Sequence, residues 1–282
     1  MRAFGSKALG LAVAAGLLGL VPATARAEEI PTPPPVSWSF SGPFGLYDRA
    51  QLQRGFKVFR EVCANCHGLK LLSFRDLADP TGPGFSPAQV AAIAADFKVT
   101  DGPNDQGEMF ERPGRPADHL PPPFPNEQTA RVANGGVAPP DMSVLAKARG
   151  YERGFPWFII DILTQYQEQG VDYIAALLQG YEAPPPGFSL PEGSHYNKYF
   201  PGHAIAMPQP LSASGQIEYT DGTPADVQHY AQDVSAFLMW AAEPNLVTRK
   251  RIGLQVMIVL VVLAGLLYFT KKRVWSSVGG HA

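Results

Sequence analysis

Cysteine is scarce in this chain: two in 282 residues, Cys63 and Cys66. Two cysteines with two residues between them could close only a tiny ring, which excludes a disulfide framework. A structural zinc site is excluded too, because it needs a third and fourth ligand at ordinary spacing and there is no further cysteine. Basic charge is also in short supply. Residues 28–248 hold 25 Asp and Glu against 14 Lys and Arg, a net charge of −11, although the whole chain comes to −2. Nucleic-acid binders carry a basic face, so that class is excluded. An acidic surface instead favours basic partners, steered by the long-range field. Internal repeats are absent.

Long apolar runs are few as well, and each has a distinct meaning. The N-terminus reads MRAFGSKALGLAVAAGLLGLVPATARAEE. Arg2 and Lys7 precede an apolar run over 8–21, and Ala25-Arg26-Ala27 gives the small-x-small pattern of a signal-peptidase site. Residues 1–27 are therefore expected to be a signal peptide. The second run, Ile252 to Phe269, would rise about 27 Å as a helix, close to the hydrocarbon thickness of a bilayer. Three basic residues precede it (249–251) and three follow it (271–273), so the charge rule cannot orient it. The signal peptide does. The expected layout is an exported, periplasmic domain over 28–248, a transmembrane helix with basic flanks over 249–273 and a cytoplasmic tail over 274–282. That makes a single-pass protein of a bacterial inner membrane.

Proline and glycine, by contrast, are abundant, 28 of each. They crowd residues 99–142 and 182–212, where little regular structure is expected beyond a turn or two in EQTARVA. Helices are expected elsewhere. Asp48 opens one whose face is Leu52, Phe56, Phe59 and Cys63, and Ser86-Pro87 opens another. Further helical patterns lie at 142–149, 156–167 and 173–181. Asp221-Gly222 reads as the turn of a small hairpin. A last soluble helix is expected to start with Thr223 as cap and Pro224 at its first position, to bury Val227, Tyr230, Val234, Phe237 and Ala241, and to end at Pro244. The fold class is mainly α, with long loops that need something other than side-chain packing to order them.

Cys63-Ala-Asn-Cys66-His67 supplies that organiser. Cys-x-x-Cys followed by His is the attachment pattern of a c-type haem: two thiols one turn apart add to the two vinyl groups of a porphyrin edge, and the adjacent imidazole comes beneath the iron. A thioredoxin-like redox pair would want a βαβ context, which this segment lacks. The cofactor expected is one haem c, covalently bound through Cys63 and Cys66 with His67 as axial ligand. For the sixth iron position the exported part offers Met109, Met142, Met207 and Met239, and His119, His195, His203 and His229. Met207 stands between apolar residues and two prolines in AIAMPQPL, a setting that excludes water; His203 is the next candidate.

The chain resembles the cytochrome c1 family in a bacterial form. CANCH, ANGGVAPPDMS, YNKYFPGHAIAMPQPL, DGTPADV and FLMWAAEPNLVTRKRIGL follow in the family's order over nearly the whole mature chain. The resemblance implies a c-type cytochrome fold with loops around the haem and a C-terminal anchor, and Met207 as the second metal ligand beside His67. It implies further haem-pocket roles for Arg149, which meets a propionate in the family, and for Asn134 and Tyr173. It also implies a subunit of quinol–cytochrome c reductase, beside cytochrome b, taking electrons from a Rieske iron–sulfur protein and giving them to cytochrome c, within a dimeric complex. The alternative is the haem subunit of another membrane-bound respiratory complex. One departure stands out: GFPWFIIDILTQYQEQG, residues 154–170, is longer than the mitochondrial form.

Overall fold

Asp48 begins the first helix for a local reason. Its carboxylate accepts from the backbone N–H groups of Ala50 and Gln51 at 2.8 and 3.2 Å, satisfying two donors that a helix start leaves open. The helix α1 runs Arg49–Glu61 and buries Leu52, Gly55, Phe56, Val58 and Phe59. In the computed structural model, residues 31–277 are described apart from 152, 165 and 167. The expected signal peptide lies outside the described residues, as does the expected tail beyond residue 277.

Among the described residues before Pro244 six further helices follow: α2 (Pro87–Ala95), α3 (Glu127–Ala133), α4 (Leu145–Ala148), α5 (Trp157–Thr164), α6 (Gln169–Gln179) and α7 (Val227–Ala242). The core forms where α1 and α6 pack on α7, which is buried on nearly every side from Tyr230 to Trp240. One glycine permits the closeness of α1 to α7, and another that of α6 to α4. A Cβ at Gly55 would stand 2.0 Å from the carbonyl of Asp233 on α7, and one at Gly170 would stand 1.8 Å from that of Ala146. Arg54 fastens the α1–α7 contact with a two-pronged pair to the buried Asp233, at 2.8 and 3.2 Å, and reaches Asp221 at 2.7 Å.

Several expectations shift. The last soluble helix begins three residues late, because the Asp226 carboxylate accepts from His229 N–H at 2.9 Å and outcompetes Thr223, whose own N–H is taken by Asp221. Its buried face is wider than the stripe expected from spacing. The pattern at 142–149 condenses to the short α4, and that at 173–181 moves to α6. The Pro/Gly-rich stretch after α2 is less irregular than expected. Lys98–Asp101 (β1) pairs antiparallel with Phe110–Pro113 (β2), and the Arg112 guanidinium clamps Asp101 and Asp118 there. Ion pairs and backbone bonds order this hairpin, which apolar patterning cannot reveal. Asp221-Gly222 does turn, with Gly222 at φ +83°, but among the described residues no strands flank it. The other strand pair is His195–Tyr196 (β3) with Ala204–Ile205 (β4).

After Pro244 the chain enters α8, Leu246–Val274, 29 residues and about 43 Å long. It contains the expected apolar run, and no part of its most hydrophobic 18-residue window is buried inside the protein. A helix so apolar and so bare is a membrane span. The architecture is thus mainly α, with long loops and one C-terminal transmembrane helix.

Candidate haem site

The haem-attachment motif sits directly on the end of α1. Asn65 donates to the carbonyls of Glu61 and Val62, closing the helix, and the chain tightens into a short turn over Cys63–Asn65. Within it Cys66 N–H and His67 N–H both donate to the Cys63 carbonyl, at 3.1 and 2.8 Å. This turn presents both thiols, neither in a disulfide, beside the imidazole. Burial pushes the Cys63 thiol up to about 12, so it is held as the neutral thiol.

His67 is 8% exposed, and its Nδ1 lies 2.8 Å from the Pro140 carbonyl. That contact fixes a proton on Nδ1, turns the ring and leaves the Nε2 lone pair for a metal. Burial also holds the imidazole below its ordinary value, favouring the neutral form that ligates. The loop that supplies Pro140 is stitched to the chain after the motif. Met142 N–H donates to the Gly68 carbonyl (2.8 Å), Lys70 N–H to the Asp141 carboxylate (3.0 Å) and Leu71 N–H to the Ser143 hydroxyl (3.1 Å). Sequence reasoning prized PPDMS only for its resemblance. Its task here is a carbonyl and three anchoring contacts, and backbone groups leave no signature of residue type.

His67 opens onto a cleft of about 250 Å³ walled by Phe59, Leu69, Leu120 and the prolines 121–123, with the exposed Asp96 and Lys98 also along it. Its walls are flat and apolar. A larger cavity of about 410 Å³ lies between Tyr181, Glu182, His195, Tyr196 and Gln209. The smaller one carries the chemistry, since it alone of the two includes the imidazole. The donor set therefore fits a haem: two free thiols on one turn, a neutral, oriented imidazole and an apolar wall for the ring's face.

Of the other expected residues, Met207 and Tyr173 are linked through Tyr181, just past the end of α6, whereas Arg149 and Asn134 sit at the ends of α4 and α3. Met207 is half-buried and packs on the core, and its carbonyl accepts from Tyr181 OH at 3.1 Å. Tyr173, half-buried on α6, lies within electrostatic reach of Tyr181 and of the exposed Arg149. Asn134 caps α3, its amide donating to the Ala130 carbonyl at 2.7 Å, at the foot of the loop that runs to Pro140. The other candidate ligands are placed differently. His203 is buried and stacked on Tyr196 with its Nδ1 3.2 Å from the Asn197 carbonyl, Met142 and Met239 are buried in the core, Met109 is exposed, and His229 pairs with Asp226. Tyr181 was missed by sequence reasoning; its hydroxyl finds Met207 only through the fold.

A helical domain with a haem-attachment turn, followed by a membrane-spanning helix, defines a membrane-anchored c-type cytochrome. A model of the family described as "Cytochrome C1 family" matches residues 38–278. The chain is 60% identical over 277 residues to "Cytochrome b/c1" of Bradyrhizobium diazoefficiens, covering 98% of this chain and 40% of that protein. It therefore spans about two fifths of that relative's length. It is 51% identical over 259 residues to "Cytochrome c1" of Blastochloris viridis, covering 92% and 91%, and 43% identical over 264 to "Cytochrome c1-2, heme protein, mitochondrial" of Solanum tuberosum, covering 93% of each. The chain belongs to the cytochrome c1 family. Its cofactor is one haem c, joined through Cys63 and Cys66, and its work is electron transfer.

Proposed function

We propose that this chain is the outgoing electron relay of a quinol–cytochrome c reductase, receiving electrons from a Rieske iron–sulfur subunit and passing them to a cytochrome c. The observation that carries the reading is the oriented His67 turn built into a domain on a single membrane-spanning helix. Haem c, when bound, supplies one-electron redox chemistry. The protein's part is to hold it and to set its potential. His67 offers Nε2, and the Pro140 carbonyl keeps that nitrogen aimed and basic. Met207 offers a thioether, the ligand that with histidine raises the potential of a c-type haem. Arg149 is cast as the partner of a propionate, and Tyr173 and Asn134 as polar groups of the same pocket.

The net charge of −11 over 28–248 suits a basic acceptor, whose approach it would speed at low salt. The printed name of the Bradyrhizobium relative joins b and c1, which supports cytochrome b as the neighbour of α8. In this reading the haem domain faces the periplasm of a bacterium, the complex is dimeric and the enzyme is a quinol:cytochrome c oxidoreductase. The test is to purify the tagged chain from its own membranes. Cytochrome b and a Rieske protein should accompany it with quinol-dependent, salt-sensitive reduction of cytochrome c. Recovery with oxidase subunits instead would assign it to another respiratory complex.

A further inference from the structure

The stretch over residues 154–170 has no task in holding the cofactor, and its helix α5 has two unlike faces. On one, Arg153 pairs with Asp161 at 2.7 Å and lies over the rings of Trp157 and Tyr166, 4.7 Å from each centroid. Tyr166 OH donates to the buried Asp172 at 2.5 Å, and Asp172 also accepts from the Trp38 indole at 2.7 Å. Arg153, Asp161 and Tyr166 thus link this side of α5 to the buried Asp172, although the Trp157 and Ile160 side chains themselves stay 46 and 39% exposed. On the other, Phe158, Ile159 and Ile162 share one face and are 52, 43 and 72% exposed, and Phe155, in the turn just before the helix and 81% exposed, has its ring 6.3 Å from that of Phe158. An apolar stripe turned outward, with the charges turned inward, reverses the arrangement of an ordinary surface helix.

Its position says what covers it. From Thr164 the chain reaches Glu168 in four residues, at most about 14 Å. Glu168 is buried within electrostatic reach of Lys250 and of Tyr47. Tyr47 OH donates to the carbonyls of Met239 and Glu243, and the Lys250 ammonium donates to those of Phe40 and Gly42, at 2.6 and 2.5 Å. These residues surround the point where α8 leaves the domain: Leu246 is buried, and from Ile252 onward the helix is bare. Two more exposed apolar side chains, Phe44 and Leu46, lie on the arm that Lys250 grips.

We propose that α5 is an interfacial helix, lying on the bilayer beside α8 with Phe155, Phe158, Ile159 and Ile162 sunk below the lipid headgroups and Phe44 and Leu46 completing the collar. The stripe lies within the short chain reach from Glu168 of the site where the chain enters the membrane, and the exposed Arg251 there suits anionic headgroups. A lipid surface is thus the occupant that is already at hand. A single helix leaves the domain free to swivel; a second contact on the bilayer fixes the tilt of the haem domain. This rests on the reading of α8 as a membrane span.

With both native cysteines of this chain joined to the haem, an introduced cysteine is its one free thiol, and the unsubstituted complex, labelled in parallel, gives the background to be subtracted. Labels at Phe158→Cys, Ile162→Cys and, within the span, Val261→Cys are to be read in the full holo-complex reconstituted in phosphatidylcholine bilayers with and without phosphatidylglycerol. At all three sites, collisions with dissolved oxygen should exceed those with a water-soluble nickel chelate several-fold. A preference for nickel at 158 and 162, with 261 in lipid, would overturn the interfacial helix and leave the span intact. Labels at 158 and 162 shielded from both agents would overturn it in favour of a protein partner. Nickel access at 261 would instead refute the span itself.

Discussion

The two sides of the haem site are built in contrasting ways. On the His67 side the motif itself is short and local, the turn 63–67 growing from the end of α1, while its support is distant in sequence: the loop 139–143 is stitched to it by four contacts at Gly68, Lys70, Leu71 and the imidazole, three of them between residues 71 to 73 positions apart. On the Met207 side, the proposed ligand hangs in the long connection between α6 and α7. The β3–β4 pair and a few side chains hold that connection: Tyr181 on the Met207 carbonyl, Asn197 at its buried turn, and Tyr230, whose hydroxyl donates to the Ile217 carbonyl and accepts from its N–H. The difference suggests a division of labour. On the proposal that Met207 is the second ligand, the covalent side fixes where the haem sits, and the tertiary contacts of the other side decide whether the thioether stays on the iron.

The largest effect belongs to the covalent side. Replacing both cysteines, Cys63→Ala with Cys66→Ala, should abolish haem that survives denaturing electrophoresis, and haem retained there would contradict the attachment. Next come paired variants that set one side against the other. Asn197 is fully buried, donates to the Leu177 carbonyl and accepts from Tyr199 N–H. Asn197→Ala should cost about 1–3 kcal/mol in thermal unfolding and open part of the population to carbon monoxide. Asp141→Ala removes the acceptor of Lys70 and Ser143 N–H, and should lower the melting temperature without admitting carbon monoxide. The reverse pattern would break the comparison. Tyr181→Phe, which deletes one hydroxyl, should cost about 0.5–1.5 kcal/mol and leave most of the haem six-coordinate.

The smallest effect is expected of acid on the β1–β2 hairpin. The Arg112 guanidinium, with the Arg115 N–H, holds Asp118 down at about 2, below its ordinary 3.8. A depressed carboxylate contributes stability that is complete above the ordinary value and is lost as pH falls through the lower one. Amide exchange of the hairpin should therefore be insensitive to the state of this pair from neutrality to about pH 4, and loosen only towards pH 2. Loosening near pH 6 would refute the clamp.

What could be read from the sequence divides along the same line. Cys63, Cys66 and His67 announce themselves because porphyrin chemistry fixes residue types within one turn, and α1, α2 and α8 because caps and apolar spacing are local. Pro140 could not be read, since it acts through a carbonyl that any residue carries. Tyr181 lies 26 positions from its partner, with nothing in the intervening chain to mark the pair. The start of α7 was misjudged because Thr223-Pro224 and Asp226 are both plausible starts, and only the packed structure shows which carboxylate wins. The outward stripe of α5 was legible as helix but not as surface: the spacing of Phe155, Phe158, Ile159 and Ile162 is that of a buried face.

The measurement that bears most directly on this account is a redox titration of the haem α-band in membranes carrying wild type or Met207→Leu. If Met207 completes the iron's ligands, the potential should fall on the order of 0.1 V or more and the variant should bind carbon monoxide. An unchanged potential with no carbon monoxide binding would place the sixth ligand elsewhere and contradict the division of labour between the two sides.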